Sequence, residues 1–231
     1  MRKIITRDLG RIGFWQAYRM QESLVKAKVS GDPSDYFLLV EHPHVFTTGR
    51  GGDLANLPQS AGDSSPIPVF RVNRGGDATY HGPGQIVGYP VTDLRGRNLD
   101  VNAYLRKLEE ILLRTLKDFD LPVFSQCGST GVWTGGRKIA CIGIGVRKGI
   151  TMHGFALNVK TELSYFDDII PCGLRDVRMT SMRKELNSDI SMVEVKRRLV
   201  FHLRNILTGS KCGLRAVPCT SKLAAFLKNT V

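Results

Sequence analysis

The twelve residues from Arg74 to Gln85 restrict the fold of this chain more than any other stretch of its sequence. They include four glycines and Pro83, and apolar runs at 69–72 and 86–91 flank them. The glycine pair at 75–76 lets the backbone approach a ligand closely, because no Cβ intervenes, and the Gly-Pro-Gly run at 82–84 favours a turn. A simple hairpin is the commoner use of such a segment, but it does not need Arg, Tyr, His and Gln in its connection. The segment is neither a Walker loop nor the start of a clear Rossmann helix.

Periodic apolar patterns place helices and strands on both sides of this segment. Helical spacing predicts an amphipathic helix over 12–28, with Trp15 in its apolar stripe, and a second helix from the capping residue Asp100 to a stop at 120–122. A capping box from Ser191 to Glu194 opens a third helix that runs to about 207, and a short helix is expected at 223–227. Strands are predicted at 36–40, 69–73, 86–91, 131–133, 138–146 and 153–159, with an irregular loop over 57–68.

The order of these elements indicates the fold class. Strands and helices are mixed without strict alternation, which favours an α+β fold with a mixed, largely antiparallel sheet and flanking helices. A length of 231 residues suits one compact domain, and no repeat or long linker divides the chain. We therefore expect a single domain over residues 1–231.

A formal net charge of +12 and a pI of ≈ 9.7 predict an acidic partner, which could be nucleic acid, an anionic membrane or an acidic protein. The basic residues are scattered, and no platform of alternating aromatic and basic residues suggests single-stranded nucleic acid. No apolar run approaches the roughly 20 residues of a membrane span. We therefore expect neither nucleic acid nor a membrane as a partner.

Cysteine usage predicts a reducing compartment. The five cysteines form no CxxC pair and their number is odd, which indicates free thiols. The N-terminus lacks an apolar signal region, so we expect a cytoplasmic protein; a bacterial cytoplasm and a mitochondrial matrix after presequence removal both fit. His42-Pro43-His44 suggests a metal site but has no third ligand nearby, so we interpret it as a loop and predict no metal site. The polar run at 47–52 is interpreted as a flexible turn that could face a ligand.

Small residues line one face of the strand predicted at 138–146. Ile139, Cys141, Gly143 and Gly145 alternate with Ala140, Ile142, Ile144 and Val146. This face leaves room either for a bound ligand or for a tightly packed neighbouring segment, and the second is commoner in general.

Cys172 is the cysteine best placed to act as a nucleophile. It lies between Pro171 and Gly173, where a chain reversal favours an accessible sulfur. A nearby cation would lower its pKa, and Lys138 follows two glycines that would let its amine enter a cleft. The residues alone also allow a solvated Lys138 and a buried, inert Cys172, which is the commoner behaviour of free cysteines.

Several of these motifs together resemble a known family. Arg-Gly-Gly-x-x-Thr-Tyr-His-Gly-Pro-Gly-Gln at 74–85 is similar to the signature of the lipoyl(octanoyl) transferases, which share a superfamily with lipoate–protein and biotin–protein ligases. Gly-Arg-Lys-Ile-Ala at 136–140, His-Gly-Phe-Ala-Leu-Asn at 153–158 and Pro-Cys-Gly-Leu at 171–174 resemble further motifs of that family, as do Thr-Ser-Met at 180–182, Glu-His-Pro at 41–43 and Thr-x-Gly at 47–49. The motifs occur in order over nearly the whole chain.

The resemblance implies the catalytic-domain fold of biotin and lipoate protein ligases and an acyl transfer without a cofactor. An octanoyl group would pass from octanoyl-acyl carrier protein to Cys172 as a thioester, and then to a lysine of a lipoyl domain in a 2-oxoacid dehydrogenase or in the glycine cleavage H protein. Lys138 would lower the thiol pKa and then accept a proton from the incoming amine. A lysine that acts as a base near neutral pH needs a lowered pKa. The acyl-binding wall would consist of Arg74, Gly75, Gly76, Asp77, Ala78, Thr79, Tyr80, His81, Cys141, Ile142, Gly143, Gly154, Phe155 and Ala156. We expect a monomer.

Three positions depart from the family pattern. Cys141 stands where Ser or Ala is common, so a second thiol is expected near the acyl pocket. Arg175 and Arg178 stand where smaller residues are frequent, and they would either add basic contacts for the carrier or remain solvated. The alternatives are an ATP-dependent lipoate– or biotin–protein ligase on the same fold, which needs no nucleophilic cysteine, and a basic binding module for acidic proteins.

Overall fold

A computed structural model describes residues 3–58, 67–126 and 128–209. Its main element is a seven-stranded mixed sheet in the order β1-β2-β6-β10-β9-β8-β7. Only the β1–β2 pair within this sheet is parallel, and the other neighbours are antiparallel. The strands are β1 (Ile4–Arg11), β2 (Asp35–Glu41), β6 (Gln85–Val91), β7 (Val123–Gln126), β8 (Ser129–Thr134), β9 (Arg137–Arg147) and β10 (Ile150–Asn158). The predicted α+β class and the largely antiparallel sheet are confirmed.

A second sheet holds the glycine-rich segment. It has the order β4-β3-β5, with β3 (Val45–Thr48) parallel to β4 (Val69–Arg71) and antiparallel to β5 (Thr79–His81). The sequence prediction of a flexible turn over 47–52 was therefore wrong at its start. Thr47 and Thr48 are buried in β3, because the strand is covered by its two neighbours and by the loop at 73–76. Residues 79–81 were also expected in a loop and form β5 instead.

The sheet is covered by helices on both faces. Alternate residues of β2 point to opposite sides: Phe37 and Leu39 pack with α2 and α4, whereas Leu38 and Val40 pack with α1. The helices are α1 (Phe14–Val29), α2 (Val101–Lys117), α3 (Met182–Leu186) and α4 (Met192–Thr208). This layering is the usual way in which a two-sided sheet is shielded from water.

Capping side chains define the starts of α2 and α4 as the sequence predicted. The carboxylate of Asp100 accepts the N–H of Ala103 at 2.7 Å, and the hydroxyl of Ser191 accepts the N–H of Glu194 at 3.3 Å. Such caps contribute about 1 kcal/mol each. The short helix predicted at 223–227 and most of the loop at 57–68 lie outside the described residues.

The buried stripe of α1 contains three of the apolar residues predicted for it, Phe14, Ala17 and Val25, but differs from the prediction at other positions. It consists of Phe14, Ala17, Gln21, Val25 and Lys28, whereas Trp15 is 42% exposed. Gln21 and Lys28 concealed this stripe because their polar ends are used internally. The Gln21 side chain accepts the N–H of His153 at 2.7 Å, and the Lys28 amine lies 2.7 Å from a carboxylate oxygen of Asp35.

No helix in the described part of the chain is long and apolar enough to cross a bilayer.

Candidate active site

A cavity of ≈ 350 Å³ lies where the two sheets meet. The loop at 74–77, strands β5, β9 and β10 and the turn at Cys172 form much of its wall. Side chains from α1, β6 and α2 complete it, among them Phe14, Val87, Tyr89, Val101 and Leu105. The wall is therefore mostly apolar, with a few polar groups grouped at one place.

Arg74 shapes the loop that begins the glycine-rich segment. Its guanidinium is buried and donates to both the backbone oxygen and the hydroxyl of Thr47 at 2.9 Å, and to the backbone oxygen of Gly75 at 3.0 Å. Burial lowers the pKa of Arg74, while nearby acidic groups oppose that change. The side chain thus fixes loop conformation and also brings a positive charge to the cavity wall.

Glycines let this loop lie directly on the neighbouring strands. A Cβ at Gly49 would lie 2.1 Å from the backbone oxygen of Gly76, and one at Gly145 would lie 2.3 Å from the backbone oxygen of Asn73. A Cβ at Gly143 would likewise lie 2.9 Å from the backbone oxygen of Gly75. The small face of β9 is therefore filled partly by a packed segment, and only its Cys141–Gly143 portion also borders the cavity.

Cys172 lies in a tight turn at the cavity, within Pro171–Gly173. Its φ of 59° is in the left-handed region, which a cysteine rarely adopts and which often marks a functional site. The Cys172 N–H donates to the Ala78 oxygen at 2.8 Å, and the Ile170 N–H donates to the Asn56 oxygen at 3.0 Å. The glycine-rich segment therefore holds the turn that presents the sulfur.

Lys138 enters the same place from the start of β9. Its side chain is 2% exposed, and its Nζ lies 3.4 Å from Cys172 Sγ and 5.2 Å from the ring centre of Trp133. Its backbone accepts the N–H of Thr180 and donates to the Arg178 oxygen, both at 2.9 Å. Backbone hydrogen bonds thus join the segment at 178–180, which follows Cys172, to β9 at Lys138 itself.

Gly131 on β8 makes room for the lysine. A Cβ there would lie 2.6 Å from Cε and 3.3 Å from Nζ of Lys138. The Gly131 N–H donates at 3.1 Å to the buried carboxylate of Glu109, which projects from α2. The backbone of Gly131 therefore contacts Glu109 as well as Lys138, and the Glu109 and Lys138 side chains attract each other electrostatically.

The thiol of Cys172 is strongly acidified. Its pKa is lowered from the ordinary value of 9.0 to about 6, because the Cys141 S–H donates to its thiolate and because Lys138 and Arg74 supply positive charge; burial opposes the change. The two sulfurs are 3.7 Å apart. The pKa of Cys141 is raised by the same hydrogen bond and by burial, so Cys141 stays a thiol while Cys172 is ionised.

The pKa of Lys138 is raised in this state, whereas a base at neutral pH was expected to have a lowered one. Burial opposes the charged amine, but the sulfurs of Cys141 and Cys172 and the carboxylate of Glu109 outweigh it. The arrangement with an unmodified thiol is therefore an ion pair of ammonium and thiolate.

Three buried histidines lie on or beside the cavity wall. Burial lowers the pKa of His42 to about 4, and those of His81 and His153 to about 3, so all three are neutral at pH 7. His42 donates to the Ile12 oxygen and accepts from the Tyr89 hydroxyl, both at 2.8 Å, in the tautomer that satisfies both partners. As predicted, 42–44 is a loop. Among the described residues, no group of three His, Cys, Asp or Glu side chains is arranged to hold a metal ion.

The structure brings together most of the residues proposed from the sequence. All of them border the cavity except Ala78 and Tyr80. Ala78 is buried and contributes its oxygen to the Cys172 turn, and Tyr80 stacks on Tyr165 with ring centres 4.9 Å apart.

Sequence reasoning missed Glu109 and Gly131. A carboxylate on the buried side of α2 was the available signal for Glu109. Gly131 was noted only as part of a strand.

Comparisons with known proteins identify the family of this chain. Residues 14–204 match the family described as Lipoyl protein ligase A/B catalytic domain. An octanoyltransferase of Geotalea uraniireducens is 49% identical over 83% of this chain and 87% of its own, and one of Solibacter usitatus is 48% identical over 89% and 94%. The chain belongs to the octanoyltransferase family.

Solved structures support the same fold for this octanoyltransferase-family chain. A putative lipoate protein ligase from T. acidophilum superimposes with a TM-score of 0.69, covering 90% of this chain and 85% of that one. The two sequences are 18% identical, so this likeness concerns the fold alone. It confirms the predicted ligase-like catalytic fold.

Proposed function

We propose that this protein transfers an octanoyl group from an acyl carrier protein to a lysine side chain of a lipoyl domain, with a thioester on Cys172 as the intermediate. The observation that carries the proposal is the 3.4 Å contact between Lys138 Nζ and Cys172 Sγ at the wall of an apolar cavity. The names of the two relatives support the acyl group.

The cavity suits a short acyl chain. Its ≈ 350 Å³ is at the small end of ligand sites, which hold roughly 300–1,000 Å³. Burying methylenes contributes about 0.8 kcal/mol each, or about 5 kcal/mol for an octanoyl chain. Ile142 and Phe155 provide apolar contacts on the wall. The proposed binding set is the one predicted from the sequence, with Ala78 and Tyr80 acting through the turn and the packing behind it.

The first half of the reaction would use the ion pair as it stands. The Cys172 thiolate attacks the thioester carbonyl of the carrier, the carbon–sulfur bond to the carrier breaks, and the carrier's sulfur leaves as a thiolate. Exchange of one thioester for another is nearly isoenergetic, and the thiolate, which is the nucleophilic form of cysteine, is already present for the attack. Its pKa of about 6 keeps Cys172 mostly ionised at pH 7.

The second half would need Lys138 in its neutral form, and acylation itself supplies the change. Once Cys172 is a thioester, it carries no negative charge, so the sulfur charge that raised the pKa of Lys138 is gone. Burial, which lowers that pKa and is the largest single influence on it, remains, and it is opposed only by the smaller effect of the Glu109 carboxylate. Lys138 can then release its proton and accept one from the amine of the lipoyl-domain lysine, while that amine attacks the thioester and Cys172 leaves as a thiolate.

Charge supports acidic macromolecular partners. The chain has a net charge of +12, which favours association with an acidic carrier and an acidic lipoyl domain. Arg175 and Arg178 are exposed next to the Cys172 turn, where a docked carrier would meet them. The single domain over 1–231, the monomeric state and the cytoplasmic location stay predictions.

An ATP test separates this proposal from a ligase. Purified protein would be mixed with a lipoyl domain and either octanoyl-acyl carrier protein or free octanoate, each with and without ATP, and the octanoylated domain would be measured by mass. We expect transfer without ATP, and its loss in Cys172→Ser and Lys138→Ala but not in Lys117→Ala, which removes an exposed cation at the end of α2. Transfer from free octanoate only when ATP is added would show a ligase, and no transfer by a folded protein would favour a binding module.

A further inference from the structure

Two thiols face each other at the candidate site, although the proposed acyl transfer needs only one. Cys141 Sγ on β9 lies 3.7 Å from Cys172 Sγ, and neither cysteine is in a disulfide. Cys141 is held between β8 and β10, opposite Gly131 and Ala156. Cys172 lies on a turn.

We propose that Cys172 and Cys141 form a peroxide-reactive dithiol site, in which Cys172 is oxidised first and Cys141 then closes a disulfide with it. The oxidant is a hydroperoxide, and the product is a disulfide that a dithiol reductant reverses. This chemistry needs only the two sulfurs and does not depend on the octanoyl transfer proposed above.

Cys172 is oxidised in the first step because its sulfur is the ionised one. Its thiolate attacks the nearer oxygen of the peroxide, a sulfur–oxygen bond forms and the oxygen–oxygen bond breaks. The hydroxide that leaves takes a proton from solvent or from the Lys138 ammonium 3.4 Å away and becomes water. Sulfur is oxidised to sulfenic acid, and peroxide is reduced. An ionised, partly exposed cysteine beside cations is the usual target of this reaction.

In the second step Cys141 attacks the oxidised Cys172, and this attack becomes possible only after the first step. While Cys172 is a thiolate, its charge and the shared hydrogen bond keep Cys141 protonated. A sulfenic acid is neutral, so this restraint ends. The Cys141 sulfur attacks the Cys172 sulfur, a sulfur–sulfur bond forms, the sulfur–oxygen bond breaks, and the hydroxyl leaves with the Cys141 proton as water.

Closing the disulfide requires the two sulfur atoms to move closer together. The sulfurs must shorten their separation from 3.7 Å to about 2.05 Å. Cys141 is fixed in the sheet, so the turn at Cys172 must supply most of the movement by side-chain rotation. A dithiol reductant supplies two electrons and restores both thiols.

The test follows the sulfurs by mass rather than by activity. Full-length protein is treated with a slight excess of hydrogen peroxide, blocked with an alkylating reagent, digested and mapped, because three further cysteines lie outside the described residues. We expect a Cys141–Cys172 linked peptide, about 2 Da lighter than the two free peptides together, that dithiothreitol removes. In Cys141→Ser and in Cys141→Ala, Cys172 should instead accumulate sulfenic acid that dimedone traps, and then irreversible sulfinic acid.

Two outcomes would overturn the proposal. One is that wild type and both Cys141 variants form sulfinic acid at Cys172 at the same rate. The other is that Cys172 pairs with Cys127, Cys212 or Cys219 in place of Cys141. Circular dichroism before treatment shows that each variant is folded. A wild type that forms the disulfide but carries no acyl group from the carrier would sink the proposed function and leave this one standing.

Discussion

Replacing Lys138 with Met should make Cys172 much less reactive, since it removes the charge nearest to the sulfur. At a separation of 3.4 Å, a pair of opposite charges attracts with about 5 kcal/mol at an effective dielectric of about 20, and loss of water around the ions cancels much of this. A single close cation commonly lowers an acid's pKa by about one to three units. Without Lys138, we expect the pKa of Cys172 to rise from about 6 to roughly 8.

The rate of alkylation of Cys172 measures this change. The thiolate fraction at pH 7 falls from about 0.9 to about 0.1, so Lys138→Met should react with iodoacetamide about tenfold more slowly at pH 7 and nearly normally at high pH. The rate is followed from about pH 5 to pH 10 by mapping the Cys172 peptide. Cys141→Ala, which removes the thiol donor, should also raise the midpoint.

Lys117→Met is the matched control, because Lys117 is exposed on α2. It should leave the midpoint where it is in wild type. If Lys138→Met also leaves the midpoint unchanged, the lysine does not stabilise the thiolate and the proposed ion pair is refuted.

Three further predictions concern the support around the site and the stability of the fold. Gly131→Ala should displace the Lys138 side chain and strain β9, because the new methyl would lie 2.6 Å from Cε of Lys138 and 2.5 Å from the backbone oxygen of Ala140. We expect about a tenfold or greater loss of transfer, measured by assay, and a loss of about 1–3 kcal/mol in unfolding free energy, measured by urea denaturation. Asp35→Asn should cost about 3–5 kcal/mol in the same denaturation experiment, since Lys28 and Arg97 would keep buried charges without their carboxylate. Acid should destabilise the fold as the pH falls from about 6.5 towards 4, because the unfolded chain then takes up protons that the buried histidines do not. For His42, His81 and His153, the free energy of unfolding should fall by about 2 kcal/mol per histidine at about pH 5. Thermal unfolding at a series of pH values measures this change.

Matched variants separate these effects from general damage. Gly136→Ala also places a methyl at a positive φ, of 75° against 139° at Gly131, but this methyl meets no atom within 4 Å, so Gly136→Ala should retain the transfer activity that Gly131→Ala loses. Asp8→Asn, at an exposed ion pair with Lys196, should change stability by no more than about 0.5 kcal/mol. Equal losses within either pair would contradict the corresponding prediction.

For the acid effect, His153→Asn removes one titrating group at a positive φ, which Asn tolerates. Its stability should therefore depend less steeply on pH than that of wild type. An unchanged slope would mean that His153 does not contribute.

The sequence predicted best those elements whose local pattern and tertiary role agree. The stripe and the Asp100 cap of α2 and the capping box of α4 are local signals, and both helices pack by those stripes. Strands β1, β3, β5 and β7 were not predicted, because short or partly exposed strands carry little periodicity and gain their stability from neighbours.

The residues of the candidate site likewise divide into those that the sequence indicated and those whose roles depend on tertiary packing. Lys138 and Cys172 are 34 residues apart, and no spacing rule places them together; their association was expected only from the family resemblance. The support from Glu109 and Gly131 depends on how α2 packs against β8, which is a tertiary property. The contact between Cys141 and Cys172 likewise depends on where a turn lies over a strand. The thiol was anticipated near the pocket, but its distance was not.

The most direct test of the acyl-enzyme proposal is intact-protein mass spectrometry after mixing the protein with octanoyl-acyl carrier protein in the absence of ATP. We predict a single octanoyl adduct that hydroxylamine removes, that maps to Cys172 and that is absent from Cys172→Ser. A folded wild type that stays unmodified, or an adduct that persists in Cys172→Ser, would contradict the thioester on Cys172.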